Sequence, residues 1–435
     1  MPGEWYNAPA DLAGGLPPMM SQSGYPATPR ELRPLFAAPL IDQELSKRRH
    51  VRIPGPVRRS YERWRPTPMF RAQRLEQSLG TPARLYYKFE GGSPSGSYES
   101  NTALPQAHYV RSGGFSTILT GAAGGVWVAA ISHAASVAGV RAKIYSVRSP
   151  ETGKAYGEAA ARLWDVELVA SPSSSTRIGA SSIAKRGDRS GDVATALAEA
   201  YEEATVREDA KFSMPTLLNH TILHQTIIGL EAHKQLKAAR AAPDVIIGAI
   251  GGGSHFAGLF LPFLRDRLAG SPIRFVAVET LSTPSLTRGR YVYDSGDAAG
   301  QIPQVMMYTL GRDYRPPGIL AGSMRYHGVA PILSYLYKGG QVEAAVHGQR
   351  AAFQAGLAFT RAEGLMLSPE SMYTVREVID EAVRCKEQNL ARTILFSVTS
   401  PIDFDRLPYD ALLSGQLSDE PPAENAIERA LAALG

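Results

Sequence analysis

Residues 245–259 read Val-Ile-Ile-Gly-Ala-Ile-Gly-Gly-Gly-Ser-His-Phe-Ala-Gly-Leu, and this stretch decides the fold class. The apolar run 245–250 predicts a buried strand, and the residues from Phe256 onward predict a helix. The glycines between them allow backbone N–H groups to converge on one anion, and the following helix N-terminus adds positive potential. We therefore expect an anion-binding loop, in preference to a turn that merely requires glycine. The predicted binding residues are Gly251, Gly252, Gly253, Ser254 and His255.

Strand and helix patterns alternate along the rest of the chain. Such alternation is typical of parallel sheets that are covered by helices on both faces. Before residue 245 the patterns predict strands at 116–119, 142–147 and 166–169, and helices at 129–138 and 155–164. We therefore predict an α/β fold.

The length of 435 residues suits two domains of about 200 residues each. Residues 171–191 are rich in Ser and Gly, which predicts a mobile loop or lid. The predicted division is an irregular arm at 1–60, an N-terminal α/β domain at 61–235 with a mobile lid subdomain near 108–200, a C-terminal α/β domain at 236–415 and a tail helix within 416–435.

Composition narrows the class of protein. The hydrophobic content of 44% and net charge of +5 are ordinary for a globular protein, and Cys385 is the single cysteine. No apolar run reaches the roughly 18 residues of a membrane span, and the start of the chain lacks a signal-peptide pattern. We expect a cytoplasmic protein without metal, membrane or nucleic-acid partners, and we interpret the basic residues between 47 and 65 as part of the arm.

Residues 90–103 read Glu-Gly-Gly-Ser-Pro-Ser-Gly-Ser-Tyr-Glu-Ser-Asn-Thr-Ala. This segment resembles the cofactor loop of tryptophan synthase β chains, in their longer stand-alone form. The family loop reads Gly-Ser-His-Lys-x-Asn-Thr-Ala, and its lysine forms a Schiff base with pyridoxal phosphate (PLP). In this chain Tyr98 and Glu99 stand where the family has His and Lys. Because a carboxylate cannot form an imine, we expect no covalently bound cofactor here.

The resemblance covers nearly the whole chain. It is also carried by Arg65-Pro66-Thr67-Pro68, Leu218-Asn219-His220, Gly251-Gly252-Gly253-Ser254, Arg325-Tyr326-His327-Gly328 and Ser368-Pro369-Glu370-Ser371. It implies the two-domain fold-type II PLP-enzyme architecture, a phosphate site on the 251–254 loop and a homodimer. It also implies that PLP or another anion can bind non-covalently.

Other family positions differ as well. Aligned on Trp127, the family's Glu-Thr-Gly-Ala-Gly-Gln-Trp has become Gly-Ala-Ala-Gly-Gly-Val-Trp at 121–127, which removes side chains that bind an amino-acid carboxylate. Thr399 keeps a hydroxyl where the family's serine faces the cofactor ring, and Arg312 replaces a histidine. The predicted pocket residues are Asn101, Gly124, Gly125, Trp127, Arg312 and Thr399.

Lys88 and Lys154 could each be proposed as the Schiff-base lysine in place of residue 99. The family also has a lysine at the position of Lys88, beside its catalytic one, so we interpret Lys88 as a structural strand residue. Lys154 lies in a variable segment, and nothing in the sequence favours it as the Schiff-base lysine.

Glu99 is our candidate for the principal acid–base group, with Tyr98 as its neighbour and Glu363 as a second carboxylate from the opposite domain. Burial would raise the pKa of the Glu99 carboxyl, whereas a helix N-terminus would lower it. The sequence leaves this balance open. Pro105 would clash with the preceding helical turn unless the helix begins late, near Ser100 or Thr102.

Three functions compete at this stage. In the first, the enzyme has abandoned PLP and performs acid–base chemistry (C–C bond formation, cyclisation or dehydration) on an indole-like or other aromatic intermediate of bacterial specialised metabolism. In the second, the chain is a non-catalytic ligand sensor or partner subunit. In the third, it binds PLP non-covalently or as a preformed substrate adduct. The sequence changes spare the phosphate loop, which favours the first: a lyase or cyclase that is not a functional tryptophan synthase.

Overall fold

The structure is a computed structural model that describes residues 1–147, 154–186, 191–400, 407–419 and 421–434. Within these ranges every helix is too short or too polar to span a lipid bilayer.

The elements alternate between strand and helix through most of the chain. The strands are β1 Glu4–Tyr6, β2 His50–Arg52, β3 Met69–Arg71, β4 Arg84–Phe89, β5 Thr117–Ala122, β6 Arg141–Val147, β7 Glu167–Ser171, β8 Ala210–Phe212, β9 Val245–Ala249, β10 Arg274–Thr280, β11 Arg290–Asp294, β12 Val305–Thr309, β13 Glu343–His347 and β14 Thr393–Val398. The helices are α1 Pro29–Leu32, α2 Ala38–Glu44, α3 Gly55–Tyr61, α4 Gln73–Leu79, α5 Ser100–Ser112, α6 Gly125–Ala138, α7 Lys154–Leu163, α8 Arg177–Arg186, α9 Val193–Val206, α10 Asn219–Gln225, α11 Ile227–Ala238, α12 Ser254–Phe260, α13 Leu264–Leu268, α14 Ser285–Arg288, α15 Pro331–Lys338, α16 Gln349–Glu363, α17 Pro369–Glu387, α18 Leu407–Leu413 and α19 Ala426–Ala432.

The larger sheet has the strand order β13-β10-β9-β14-β4-β3 in the described part of the chain. All of its pairings are parallel except that of the edge strand β3 with β4. Its central strands are apolar runs buried on both faces, as expected for a sheet covered by helices. The smaller sheet, β7-β6-β5-β8, is parallel throughout. The predicted α/β fold with parallel sheets is therefore confirmed.

The strands on either side of residue 235 do not separate cleanly between the two sheets. β3 and β4 precede that position, yet they pair within the larger sheet, and β4 lies directly beside β14. Our division into domains stays a prediction, and the larger sheet draws strands from both predicted domains.

The Ser/Gly-rich run 171–191, predicted to be a mobile loop or lid, contains helix α8, and its mobility stays a prediction. A carboxylate from helix α9 explains this helix: Glu202 accepts the backbone N–H groups of Arg177 and Ile178 at 3.1 Å and 3.0 Å. These groups have no partner within a helix's first turn, so a distant residue completes the helix start. Residues 187–190 lie outside the described ranges.

Helix α5 contains Pro105 and begins at Ser100, one of the starts allowed by the sequence. A proline has no N–H to donate to the carbonyl four residues earlier, which here belongs to Asn101. The hydroxyl of Tyr61 donates to that carbonyl instead. The tyrosine is fully buried, so a contact from helix α3 satisfies the group that the proline leaves open.

A buried charge cluster ties this helix to its surroundings. Arg65 donates to Glu90 at 2.5 Å, to Glu231 at 2.8 Å and to the Asn101 side chain at 2.7 Å. Lys88 donates to Glu231 at 2.8 Å. The charged side chains are at most 2% exposed, and buried charges are tolerated only when they are paired in this way. We call Arg65, Lys88, Glu90 and Glu231 the buried charge cluster.

We predict that Tyr61→Phe lowers the free energy of unfolding by about 1–3 kcal/mol, the usual cost of leaving a buried acceptor unsatisfied. Equilibrium urea unfolding checks this value. In a Pro105→Ala background the new N–H can serve Asn101, so Tyr61→Phe should cost less there. An equal loss in both backgrounds would show that the tyrosine stabilises the fold by another route.

Candidate functional site

A cavity of about 160 Å³ lies where loops leave the carboxyl ends of β4, β5, β9 and β14. Ligand sites of open α/β sheets characteristically form at this edge. Predicted residues that line the cavity are Tyr98, Glu99, Gly124, Gly125, Trp127, Gly251, Gly252, Gly253, Ser254, His255 and Thr399. The cavity thus brings together positions beside both sheets that lie as far apart in the sequence as Tyr98 and Thr399.

The glycine loop is shaped by close neighbours. A Cβ on Gly252 would lie 2.4 Å from the Thr216 Oγ1, and one on Gly251 would lie 2.2 Å from the Ser323 carbonyl oxygen. Gly253 has a φ of +91°, which L side chains rarely adopt. The Gly252 carbonyl accepts from the Ala330 N–H at 3.0 Å, so the loop's conformation is also held from outside.

Tyr98 and Glu99 are positioned by a serine-rich loop. Ser93 Oγ donates to the Ser97 carbonyl at 2.7 Å, and the hydroxyls of Ser95 and Ser100 lie 2.6 Å apart. These bonds close the turn that precedes helix α5 and place Glu99 at its N-cap, where its side chain makes no capping bond. The Glu99 carboxyl is therefore not used in capping the helix, and it lines the cavity.

The surroundings of Glu99 settle the balance that the sequence left open. Its side chain is buried, and burial raises the pKa of its carboxyl from 4.5 to about 8. The hydrogen bond from Tyr98 Oη, at 3.4 Å from Oε1, lowers the pKa, and the charge of Glu370 raises it. Burial therefore outweighs the charge-stabilising contacts, and the carboxyl is mostly protonated at neutral pH.

Buried polar atoms without partners mark the cavity wall. Among the described residues that line the cavity, Glu99 Oε2, His255 Nε2 and Thr216 Oγ1 are buried and have no hydrogen-bond partner. The His255 ring lies against Tyr98 with 4.4 Å between centroids, and burial lowers the pKa of its imidazole to about 4. Buried polar groups are normally satisfied, so these orphaned atoms indicate where polar groups of a ligand bind.

Helices beside the smaller sheet form an apolar wall of the cavity, and the backbone N–H groups at the start of helix α6 are its polar part. Helix α6 begins at Gly125 after the extended residue Gly124, and this N-terminus receives no side-chain cap. Trp127 uses its Nε1 to bind Thr120 Oγ1 at 3.0 Å, so its ring is held in place beside the cavity. Val126 and Leu197 add further apolar surface. This wall suits a flat, largely apolar ligand.

Thr399 belongs to a cluster of hydroxyls. Its Oγ1 lies 2.8 Å from Ser368 Oγ and 2.9 Å from Ser371 Oγ, while its N–H donates to Ser371 Oγ at 3.0 Å. Thr399 and Ser368 both line the cavity. Residues 401–406, which follow, lie outside the described ranges.

The structure does not bring Asn101, Arg312 and Glu363 into the cavity lining. Asn101 is bonded to the buried charge cluster, and Arg312 lies 3.6 Å from Asp294. Glu363 ends helix α16 and accepts the Leu75 N–H at 2.8 Å, so its carboxylate is engaged at the start of helix α4.

The carboxylate that does reach the cavity from the C-terminal part is Glu370, which we missed. It lies in the first turn of helix α17, and its Oε1 accepts from Ser323 Oγ at 2.7 Å. The sequence did contain a signal for Glu370, because Pro369 predicts the start of a helix and acidic residues are favoured in a helix's first turn. We gave more weight to a carboxylate seven residues earlier in the chain.

None of the described residues that line the cavity is a lysine or an arginine. Lys88 is fully buried, and its amine is bonded to Glu231, to Gln235 and to the Thr67 carbonyl. This geometry agrees with a structural role for Lys88. The side chain of Lys154 lies outside the described residues.

Known proteins resemble this chain along nearly its whole length. The profile of the family described as "Pyridoxal-phosphate dependent enzyme" matches residues 61–400. The chain belongs to this family. It is 42% identical over 419 residues to the tryptophan synthase beta chain 2 of Methanosarcina mazei, covering 96% of this chain and 95% of that protein. It is 43% identical over 429 residues to that of Aeropyrum pernix, covering 98% and 96%.

The fold has a matching solved structure in an L-serine ammonia-lyase from Rhizomucor miehei. The TM-score is 0.60 at 18% sequence identity, and the match covers 81% of this chain and 98% of that one. At this identity the comparison shows the fold alone. The fold-type II architecture expected from the sequence is confirmed.

These relatives overturn our first function. PLP-independent chemistry was wrong, and so was the alternative of a non-catalytic sensor or partner subunit, because the full-length relatives and the family profile point to a PLP-dependent enzyme. The error lay in equating a missing covalent link with a missing cofactor. Contacts to a phosphate and a ring do not require an imine.

We predict that Glu99→Gln changes how stability depends on pH. A pKa of about 8 in the folded protein, against 4.5 ordinarily, means that the folded state retains a proton that the unfolded chain has lost. The wild type should therefore lose stability relative to the variant as the pH rises from about 5 to about 7.5, at about 1.4 kcal/mol per pH unit. Urea unfolding at several pH values measures this difference.

Glu363→Gln is the matched control, since its amide oxygen can still accept the Leu75 N–H. Its stability difference from the wild type should not follow the same slope. A pH-independent difference for Glu99→Gln would mean that Glu99 is ionised in the folded protein.

Proposed function

We propose that this chain is a PLP-dependent enzyme of the lyase type that holds its cofactor without a covalent lysine link. Glu99 carries protons between the protein and the substrate in this proposal. The observation that supports it best is the Glu99 carboxyl, which is buried at the wall of the cavity with Oε2 lacking a partner among the described residues. A carboxyl in this setting is poised for proton transfer near neutral pH.

The residues present fit PLP as a non-covalent ligand. The backbone of the glycine loop and the Ser254 hydroxyl would hold the phosphate, as glycine-rich loops before helices commonly do. The Thr399 hydroxyl would serve the ring nitrogen, and the wall at Trp127 would contact the ring. The position of Glu99 offers no amine for an imine, so the cofactor would be retained by these contacts alone.

When bound, PLP supplies a carbonyl that condenses with a substrate amine and a ring that withdraws electrons from the adjacent carbon. The protein's part is to move a proton at that carbon. Glu99 would accept it as a carboxylate and return it as an acid, and Tyr98 Oη would steady the carboxyl through the bond to Oε1. His255 stays neutral near pH 7, since burial lowers the pKa of its ring to about 4.

We propose an aromatic small molecule as the substrate, because the wall at Val126, Trp127 and Leu197 is apolar. The relatives are named tryptophan synthases, but the loop at 121–126 lacks the side chains that the resemblance assigns to binding an amino-acid carboxylate. We therefore expect no tryptophan synthesis from serine and indole. A homodimer stays a prediction.

We predict saturable binding of PLP that raises the melting temperature, as any ligand of the folded state does. Ser254→Ala should weaken this binding, because it removes one hydroxyl from the phosphate site. Borohydride reduction of the complex, followed by peptide mapping, should find no lysine stoichiometrically modified. A full adduct on Lys88 or Lys154 would contradict non-covalent binding, and no thermal shift with PLP or with inorganic phosphate would contradict the cofactor site.

We also predict that Glu99→Gln slows proton exchange at the substrate carbon by about 10²–10⁴-fold. The protein and PLP are incubated with aromatic amines and amino acids in D₂O, and deuterium at the carbon beside the nitrogen is followed by NMR. For an accepting carboxylate with a pKa of about 8, kcat/KM should rise with pH up to that value and then level off.

Glu363→Gln should leave both the rate and the pH profile unchanged, since its carboxylate is engaged with Leu75 outside the cavity. Unchanged exchange in Glu99→Gln would assign the proton transfer to another group.

A further inference from the structure

Near neutral pH, the ionisable side chains of the described residues around the cavity can supply negative charge but no positive charge. Among the described lining residues these are Tyr98, Glu99, His255, Tyr326 and Glu370. Burial raises the pKa of both tyrosines and lowers that of His255, so all three stay uncharged near neutral pH. Within this set, only Glu99 and Glu370 can therefore carry a negative charge.

The two glutamates lie on separate elements that meet at the cavity. Glu99 precedes helix α5, and Glu370 lies in the first turn of helix α17. Glu370 is bonded to Ser323, whereas Glu99 Oε2 is buried and has no partner among the described residues. An ionised carboxyl is stable in such a place only if a cation or several donors come to it.

Whereas an ionised Glu99 favours a cation, the glycine loop favours an anion, because its backbone N–H groups converge. A ligand that satisfies both features carries a phosphate and, elsewhere, an ammonium group. A lysine at position 99 would supply an amine to the cavity. Because residue 99 is a glutamate, the ligand has to supply that amine. An aldehyde offers Glu99 neither a positive charge nor an N–H donor.

Resting on the function proposed above, we propose that this cavity selects the amine form of the cofactor, pyridoxamine 5′-phosphate, over PLP. The ammonium group of the ligand donates to the buried carboxylate of Glu99, and the phosphate occupies the loop at 251–254. Glu370 adds favourable negative charge to the same cavity. Hydrogen bonds between charged groups are short and strong, which makes this contact the basis of selection.

The empty cavity holds Glu99 mostly protonated at pH 7, because burial raises the pKa of its carboxyl to about 8. An ammonium ion beside the carboxyl favours its ionised form, so binding of the amine should expel a proton. Among the described residues, the other ionisable groups that act on Glu99 are Tyr98 from its own loop and Glu370 from helix α17. Tyr98 stays neutral, and the charge of Glu370 opposes ionisation of Glu99, so a ligand cation beside Glu99 would offset this repulsion.

The test is titration calorimetry with pyridoxamine 5′-phosphate, PLP and inorganic phosphate at pH 7. The wild type should bind the amine about ten- to hundredfold more tightly than PLP, the range for a hydrogen bond between charged groups. Titrations in two buffers of different ionisation enthalpy should detect proton release with the amine. Glu99→Gln should lose most of the preference and of the proton release, while Glu363→Gln should keep both.

Retained binding of inorganic phosphate by Glu99→Gln shows that the variant's site is folded. Equal or tighter binding of PLP by the wild type overturns the amine preference and leaves the proposed PLP-dependent function standing. An undiminished preference in Glu99→Gln overturns the role of Glu99. If neither cofactor form binds the wild type, the proposed function itself fails.

Discussion

The buried charge cluster of Arg65, Lys88, Glu90 and Glu231 is the constraint on which the site depends. It joins the chain before β3, the β4 strand, helix α5 and helix α11 in one set of bonds. Removing one partner would leave a buried charge uncompensated, which typically costs about 3–5 kcal/mol. Because Asn101 is also bonded to it, the cluster holds the start of helix α5, and with it the residue before that helix.

The consequence for the cavity is that Glu99, the residue before helix α5, has a fixed place in its wall. The carboxyl lies at the cavity wall, next to a glycine loop whose shape is set by Thr216, Ser323 and Leu333. The atoms nearest to the glycines of this loop thus belong to residues other than Glu99. Under the proposed function, this arrangement would let the cavity hold PLP by non-covalent contacts, with the ligand balancing the charge of Glu99.

Local structure repeatedly depends on distant partners. Tyr61 serves the carbonyl that Pro105 leaves open, and Glu202 completes the start of helix α8. In each case a short stretch of sequence predicts a turn, a break or a loop, and a side chain from another element makes a helix stable there. Helix starts lack internal partners for their first N–H groups, so their stability is often decided by tertiary contacts.

The sequence by itself determined the strand–helix alternation, the parallel sheets and the glycine loop, because these follow from apolar periodicity and from backbone freedom at glycine. It also determined that position 99 cannot form an imine. Only the tertiary structure decided that burial governs the pKa of Glu99, and that Glu370 rather than Glu363 shares its cavity. The physical reason is that burial and the distance between charges depend on which helix ends meet in space, and these contacts join residues far apart in the chain.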